Sequence, residues 1–217
     1  MTAKKLFEIG GYVAATILIA FGVAALVMGV NGRNEVRANV KREQIVGSSD
    51  MNRAAILKEA KDANLPADII ATFPTCDVAG KTVNTGARAK CFAAYMRAHA
   101  LESTGGKTYS QLGRYVTKDG KDTNDAALAA RDPKTLQPVV NTQRDLWVTE
   151  TALATALNTA FFAEQVANFG VVVAIALLLS GFGFAILAFT AFRWLPAHEA
   201  RTAAAKAAAI GATPQTT

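Results

Sequence analysis

Charge is missing from two long stretches of this sequence. Gln165–Phe192 and Ile9–Gly32 contain no Asp, Glu, Lys, Arg or His. Both exceed the roughly 20 apolar residues that suffice to cross the hydrocarbon core of a bilayer. Because each backbone N–H and C=O group in lipid needs a partner within the protein, both stretches predict transmembrane helices.

A cleaved signal peptide is the alternative for the first stretch, since it follows the basic start MTAKKLFEIGG. Its apolar run is about twice as long as the core of a signal peptide, and no clear A-x-A-like cleavage site follows it. We therefore expect an uncleaved signal anchor.

Histidine and cysteine are scarce, with two residues of each kind, and the sequence has no P-loop, dinucleotide fingerprint or G-x-S-x-G elbow. We therefore expect no catalytic residue, no cofactor and no metal, and a protein that is not an enzyme. One alternative takes His99, with Glu102 three residues later and Tyr95 one turn earlier, as an acid–base cluster or part of a metal site. We favour a polar edge on a packing helix instead.

The acidic segment KDGKDTND contains Asp119, Asp122, Asn124 and Asp125. It is similar to a calcium loop, but its spacing does not fit the EF-hand pattern D-x-[DN]-x-[DN]-G-x₅-E. We expect a solvated turn.

The net charge of +6 does not indicate nucleic-acid binding. That function needs basic residues clustered on one surface. Here the basic residues are interleaved with acids, as in KREQIVGSSDMNR and KEAKDAN. We expect an ordinary solvated surface, with further charges flanking the membrane and no nucleic-acid partner.

The charges beside the apolar stretches bear on orientation. The basic residues of the two short ends favour a cytoplasmic location for both termini; they are Lys4, Lys5, Arg193, Arg201 and Lys206. Basic residues also follow the first stretch, in RNEVRANVKR, so that charge alone decides little.

The two cysteines add a second criterion. Cys76 and Cys91 both lie in the long loop between the apolar stretches. A lone pair in one small domain is typical of a disulfide in an oxidising compartment, and the alternative is two free, buried thiols. We expect the loop to lie outside the cytoplasmic membrane, in a multi-pass cell-membrane protein with both termini cytoplasmic.

Small residues recur four apart in both apolar stretches. Such spacing lets two helices approach closely in lipid, either within one chain or between subunits. The expected contact residues are Gly11, Ala15, Ala25, Gly29, Gly170, Ala174, Gly181 and Ala185. The expected partners are the lipid bilayer and either a second copy or another membrane protein.

The pattern predicts a mainly α protein: two antiparallel transmembrane helices carrying a small, mostly helical extracytoplasmic domain on a helical stalk. The expected boundaries are 1–8 for the cytoplasmic N-terminus, 9–32 and 165–192 for the transmembrane helices, 33–164 for the domain, with its stalk at 144–164, and 193–217 for the cytoplasmic tail.

Local signals predict the helices of the loop. The segment RNEVRANVKREQIV continues the first helix. SSD at 48–50 offers an N-cap for a short helix that buries Ile56 and Leu57. Thr85 caps a second helix, which the Gly105-Gly106 pair stops.

The segments on either side of these helices differ. The segment from Thr72 to Asn84 is predicted to be a turn-rich connection, and Tyr109–Asn141 an exposed loop. One continuous helix is expected from about Arg144 to Arg193, with a break at Pro196. The end of the Ala-rich tail is expected to be disordered.

Several segments resemble a family of actinobacterial two-pass membrane proteins: GVAALVMGVNGRNEV, Gln44–Asp50 followed by a short helix, AKCFAAYMRAHALESTGGKTYSQLGRY and LWVTETALATALNTAFFAEQVA. The likeness covers nearly the whole chain except the tail, and it implies no established function. Members often carry the label "aromatic ring-opening dioxygenase". Such an oxygenase would need something like two His and a carboxylate on iron. On the expected topology the membrane separates His99 from His198, so we reject the label.

Three functions follow in order of preference. The first is a non-enzymatic structural or accessory subunit, or an assembly scaffold, of a membrane or cell-envelope complex. The second is a homo-oligomeric channel, against which stand the missing filter sequence and the lack of polar residues along either span. The third is an extracytoplasmic enzyme or ligand-binding domain using His99, Glu102 and Tyr95.

Overall fold

The structure is a computed structural model that describes residues 3–211, and it is mainly helical. Helices and strands within this range are α1 (Ala3–Arg42), α2 (Arg53–Asp62), α3 (Ala67–Ile70), α4 (Gly86–Ser103), β1 (Tyr115–Val116), β2 (Asp122–Thr123), α5 (Thr142–Phe189) and α6 (Leu195–Gly211). The chain divides into two compact units, Gly32–Val166 and the residues before and after it. The helices α1 and α5 contribute residues to both units.

Two helical stretches are long and apolar enough to cross a membrane. They are Lys5–Arg42, with a mean hydropathy of 2.5 in its most apolar window, and Thr142–Lys206, with 2.7. Only 17% of each window is buried. Large side chains such as Phe21, Met28 and Leu179 are therefore exposed. In water such a continuous apolar surface would be unfavourable, whereas in lipid both the surface and the surrounding hydrocarbon are apolar.

The first unit, formed by the two ends of the chain, is held together by small residues. A Cβ atom added to Gly11 would lie 3.0 Å from Ala188 Cβ, and one added to Gly29 would lie 2.9 Å from the Ala167 carbonyl oxygen. A Cβ atom at Gly22 would lie 2.8 Å from the side chain of Leu178. The backbones of α1 and α5 therefore approach closely along this unit, as small residues allow in apolar helix pairs.

The second unit, Gly32–Val166, has a packed core around α4. Ile56, Ala60 and Tyr95 are fully buried, and Trp147 of α5 is 2% exposed in the same cluster. Each large apolar side chain buried in this way contributes about 1.5–3 kcal/mol. The Trp147 indole donates to the Lys107 carbonyl at 3.0 Å, so its one polar atom is also satisfied.

A second, smaller cluster in this unit joins α4 to the ends of α1 and α5. Val83 and Ala89 are fully buried against Val40 and Leu157. Glu164 of α5 is also buried: it accepts the Gly86 backbone N–H at 2.5 Å and pairs with Arg37 at 2.6 Å. A carboxylate at the first turn of α4 is favourable because the backbone N–H groups there lack partners within the helix.

The predicted caps are partly correct. Thr85 caps α4 by accepting the Arg88 N–H at 3.3 Å, and the positive φ angles of Gly105 and Gly106 accompany its end, as expected. The N-cap proposed at 48–50 for α2 is wrong, because Asn52 performs that role by accepting the Ala55 N–H at 3.0 Å. Ile56 is buried as expected, whereas Leu57 is half-buried.

The cysteines form the predicted disulfide. Cys76 and Cys91 are bonded, with their Cα atoms 6.1 Å apart. The bond fixes the connection before α4 to the first half of that helix. The alternative of two free, buried thiols is thereby excluded.

The segment expected to be an exposed loop contains a small antiparallel ribbon. The strand β1 pairs with β2 in the register Tyr115 to Thr123 and Val116 to Asp122. An added Cβ atom at Gly113 would clash with the backbone of Thr123, so this position of the ribbon requires glycine. The two strands are each only two residues long, which explains why periodicity did not reveal them.

The long helix is confirmed, but the expected break at Pro196 is wrong. The helix α5 begins at Thr142, and a π-helical turn, Thr190–Trp194, joins it to α6. Pro196 is the second residue of α6. Proline lacks a backbone N–H and crowds the turn before it, which is where the π-helical turn lies, so the helical stretch continues from Thr142 to Lys206 with altered hydrogen bonding. Residues beyond 211, predicted to be disordered at the end of the tail, lie outside the described residues.

Candidate functional site

Four titratable side chains converge in the second unit, and we call them the His99 cluster. Its members are His99, Asp50, Glu59 and Glu102. His99 Nε2 lies 3.6 Å from Asp50 Oδ2, while Nδ1 lies 3.6 Å from Glu59 Oε2 and 3.5 Å from Glu102 Oε2. The four side chains are between 27% and 38% exposed, so they form a site at the surface of the domain.

The helix α4 supplies two members of the cluster. His99 and Glu102 are three residues apart and share one face of α4. Tyr95, one turn earlier, was proposed as a third member, but it is fully buried and its hydroxyl donates to the Cys76 carbonyl at 2.6 Å. Burial is the main cause that raises the pKa of Tyr95. Tyr95 thus anchors the segment before α4, which contains Cys76, to the core.

The segment 48–62 supplies the other two members. Glu59 lies on α2, one turn after the buried Ile56 and directly before the buried Ala60, at the edge of the packed face. Asp50 precedes α2 and accepts a hydrogen bond from the Ser48 hydroxyl. That hydrogen bond is the main reason that the pKa of Asp50 is lowered, and it keeps the carboxylate charged and in place.

Negative charge is crowded in the cluster. Burial raises the pKa of Glu59, and the neighbouring charge of Glu102 adds to this effect. Within residues 3–211, no Lys or Arg lies within 4.0 Å of the carboxylates of Asp50, Glu59 or Glu102. The imidazole of His99 is therefore the side-chain nitrogen group nearest to these three carboxylates.

One ring nitrogen of His99 lacks a hydrogen-bond partner. Its Nε2 atom is buried and has no hydrogen-bond partner, because 3.6 Å to Asp50 is too long for a hydrogen bond. His99 also borders a small cavity of about 220 Å³, whose wall includes Met51, Met96 and Glu150. Asp50, Glu59 and His99 each place one potential metal-ligating atom within 4.8 Å of one another.

Sequence reasoning identified His99 and Glu102 and missed Asp50 and Glu59. The first two are neighbours on one helix, so their spacing was sufficient to find them. The other two lie at least 40 positions away along the chain and reach His99 only because α2 packs on α4. The position of Glu59 beside the buried Ile56 and Ala60 was a signal, but it did not specify the partner helix.

The acidic segment that is similar to a calcium loop forms no cation cage. Asp122 accepts hydrogen bonds from Lys107 at 2.6 Å and the Gly113 N–H at 2.7 Å, and Asp119 accepts from the Thr117 hydroxyl at 2.5 Å. Asn124 and Asp125 accept backbone N–H groups of Arg114 and Ala127. These side chains stabilise the turns of the ribbon.

The small residues proposed for helix packing fall into two groups. Gly11, Ala15, Gly29, Ala174 and Gly181 lie where α1 and α5 approach each other, with Ala15 and Ala174 at most 3% exposed. Ala25, Gly170 and Ala185 are half-buried, and of these three Gly170 also faces α1, since a Cβ atom added there would lie 3.8 Å from Gly29 Cα. Sequence spacing missed two further contact residues, Gly22 and Ala188.

Two further surface features contain none of the four side chains of the His99 cluster. An apolar groove of about 620 Å³ in the second unit is bordered by Val40, Ile45, Phe92, Met96 and Leu157, with Glu43 as its charged lining residue. In the first unit, the ring of His198 lies 5.2 Å from that of Trp194. Neither feature places a nucleophile beside a base.

Comparisons of the chain with protein-family models, with curated proteins and with solved structures found no match.

Proposed function

We propose that this chain is a multi-pass protein of the cell membrane that serves as a structural or accessory subunit, or as an assembly scaffold, of a membrane or cell-envelope complex. Two transmembrane helices running in opposite directions would hold the domain Gly32–Val166 on the extracytoplasmic side. Both termini would lie in the cytoplasm.

The observation that carries this proposal is the division of surfaces on the two apolar helices. Small residues face the partner helix at Gly11, Gly22, Gly29 and Gly181, while large apolar side chains such as Leu179 are exposed. Close backbone packing on one side and lipid-like side chains on the other are what a bilayer requires of a helix pair.

The disulfide supports an extracytoplasmic location for the domain. Disulfides persist in oxidising compartments and are rare where thioredoxin and glutathione keep thiols reduced. Cys76 and Cys91 both belong to the unit Gly32–Val166. Their bond and the basic residues at both chain ends favour the same orientation.

The chemistry of the domain favours an accessory role over an enzymatic one. The charged neighbours of His99 are three carboxylates, so the contacts of His99 do not form the pair of Ser, Cys or Thr with a base that activates a hydroxyl or thiol nucleophile. A channel is less well supported, because Gly29, Ala174 and Gly181 fill the contact between the helices of one chain with apolar atoms.

Epitope accessibility tests the orientation. One short epitope would replace the exposed turn at Gly120, where an added Cβ atom would meet nothing within 4 Å, and another would be fused to the C-terminus. We expect antibody to reach the Gly120 epitope in intact spheroplasts and the C-terminal epitope only after permeabilisation. The reverse pattern would show that the orientation is wrong.

Crosslinking in the native membrane tests the accessory role. After gentle detergent extraction, we expect a complex of reproducible composition that contains this chain and at least one other membrane protein. An assembly of this chain alone would favour the channel or a self-assembled scaffold. A monomer that recovers no crosslinked partner would contradict the proposal.

A further inference from the structure

We propose that the His99 cluster is a binding site for a divalent transition-metal ion such as Zn²⁺ or Mn²⁺. In this assignment Asp50, Glu59 and His99 are the ligands, and Glu102 positions the imidazole. The inference does not depend on the proposed membrane topology, since all four residues belong to one unit.

The distances are those of ligands that share an ion. Ligand atoms bound about 2.1 Å from a metal at tetrahedral angles lie roughly 3.4 Å from one another. Nε2 of His99 and Oδ2 of Asp50 are 3.6 Å apart, which is close to this separation and longer than a hydrogen bond. The three ligand atoms all fall within 4.8 Å of one another.

The second observation is the state of the Nε2 atom. It is buried, it has no hydrogen-bond partner, and Asp50 is the carboxylate nearest to it. Buried polar atoms are nearly always satisfied, so an isolated one requires an explanation. A metal ion bound to Nε2 and to the Asp50 carboxylate would satisfy this nitrogen, and a Glu59 carboxylate oxygen would complete the ligand set, within 4.8 Å of the other two ligand atoms.

The opposite ring nitrogen, Nδ1, has two carboxylate neighbours, Glu102 and Glu59. Nδ1 lies 3.5 Å from Glu102, which shares the helix α4 with His99. A metal-ligating histidine commonly donates its other N–H to a carboxylate, which fixes the tautomer and the ring orientation. Glu102 is placed for this role.

The ligand types indicate the class of metal. Imidazole nitrogen suits Zn²⁺ and similar ions, and carboxylate oxygen extends the range to Mn²⁺. Ca²⁺ and Mg²⁺ prefer sites built from oxygen alone. Both cysteines are engaged in the disulfide, so no thiolate competes for the ion.

The charge balance favours a cation as well. Three carboxylates face one imidazole, and no Lys or Arg within residues 3–211 pairs with them at 4.0 Å or less. A divalent ion would neutralise most of this charge. The affinity should then depend on each carboxylate and not on His99 alone.

The test measures Zn²⁺ binding to the full chain in detergent, purified without a histidine tag, by calorimetry and by metal analysis after dialysis. Mn²⁺ binding is followed separately by electron paramagnetic resonance. We expect one Zn²⁺ per chain and a metal-dependent rise in the thermal midpoint. His99→Ala, Glu59→Gln and Asp50→Asn should abolish stoichiometric binding, and Glu102→Gln should weaken it by about 10–100-fold.

Matched controls separate a site from general acidity. Asp62 lies on the same helix as Glu59 and is 4.0 Å from Lys58, so Asp62→Asn removes a carboxylate outside the cluster. His198→Ala removes the other histidine of the sequence. Both should bind Zn²⁺ like the original chain. Circular dichroism of each metal-free variant establishes that it is folded. Absence of stoichiometric Zn²⁺ or Mn²⁺ binding, or equal binding by folded His99→Ala or Glu59→Gln, would overturn the proposal.

Discussion

At the scale of single residues, Glu164 makes the contact on which the start of α4 depends. Its buried carboxylate accepts the Gly86 N–H and pairs with Arg37. Removing it leaves that backbone N–H without its charged acceptor. Glu164→Ala should therefore destabilise the protein by about 2 kcal/mol, as expected for a hydrogen bond to a charged group.

The measurement is thermal or denaturant-induced unfolding in detergent, followed by circular dichroism. Glu35→Ala is the control, because Glu35 lies exposed on the same helix as Arg37. An unchanged midpoint for Glu164→Ala would mean that water replaces the carboxylate at the first turn of α4.

Asp122 should make stability depend on acid pH. Its hydrogen bond from Lys107 is the main cause that lowers the pKa of this carboxyl, and the Gly113 N–H adds to it. A pKa lower in the folded than in the unfolded chain gives stability that is present above about pH 4 and is lost as the pH falls through the folded value.

Asp122→Asn tests this pH dependence. At pH 7 the substitution should cost about 1 kcal/mol, and the difference from the original chain should shrink toward pH 3. Unfolding midpoints measured from pH 3 to pH 7 provide the comparison, with the exposed Asp68→Asn as control. A loss of equal size at every pH would assign the effect to packing.

At the scale of elements, two glycines of α5 form a matched pair. A Cβ atom added to Gly181 would lie 2.7 Å from Ile19 Cγ1 and 3.2 Å from the Ala15 carbonyl oxygen, whereas one at Gly183 would meet nothing within 4 Å. Gly181→Ala should destabilise the helix pair by about 1–3 kcal/mol through overpacking. Gly183→Ala should be neutral or slightly stabilising, because Ala favours helix.

Unfolding of both variants in mixed micelles with increasing dodecyl sulfate compares them directly. Equal midpoints for Gly181→Ala and Gly183→Ala would show that α1 and α5 do not pack closely at this level. The comparison tests the helix contact without reference to function.

Much of this element structure was predictable, for physical reasons that differ from place to place. Uncharged runs identified the apolar helices, and Thr85 identified the start of α4, because both signals are local. The ribbon at Tyr115–Val116 was too short to show a period. Pro196 suggested a break, but the helical stretch continues through the π-helical turn directly before it. The pairing of Glu59 with His99 depends on tertiary contacts that no local pattern encodes.

At the scale of the whole molecule, the disulfide should determine much of the domain's stability. Cys76 and Cys91 are 15 positions apart, and closing a loop of this size contributes about 3 kcal/mol in the chain-entropy model. The free energy of unfolding of the double variant Cys76→Ser, Cys91→Ser should be lower by that amount, and the variant should unfold at a lower temperature. Reduction of the original chain should produce a similar shift, and a midpoint unaffected by reductant would contradict the prediction.

The contact between Arg37 and Glu164 has one more consequence. It brings together the points at which the polypeptide enters and leaves the unit Gly32–Val166. A segment whose two ends are neighbours can be acquired, lost or exchanged in a single genetic step, because the rest of the chain need not rearrange. Descendants of such a gene can therefore keep the two apolar helices and diversify the unit Gly32–Val166.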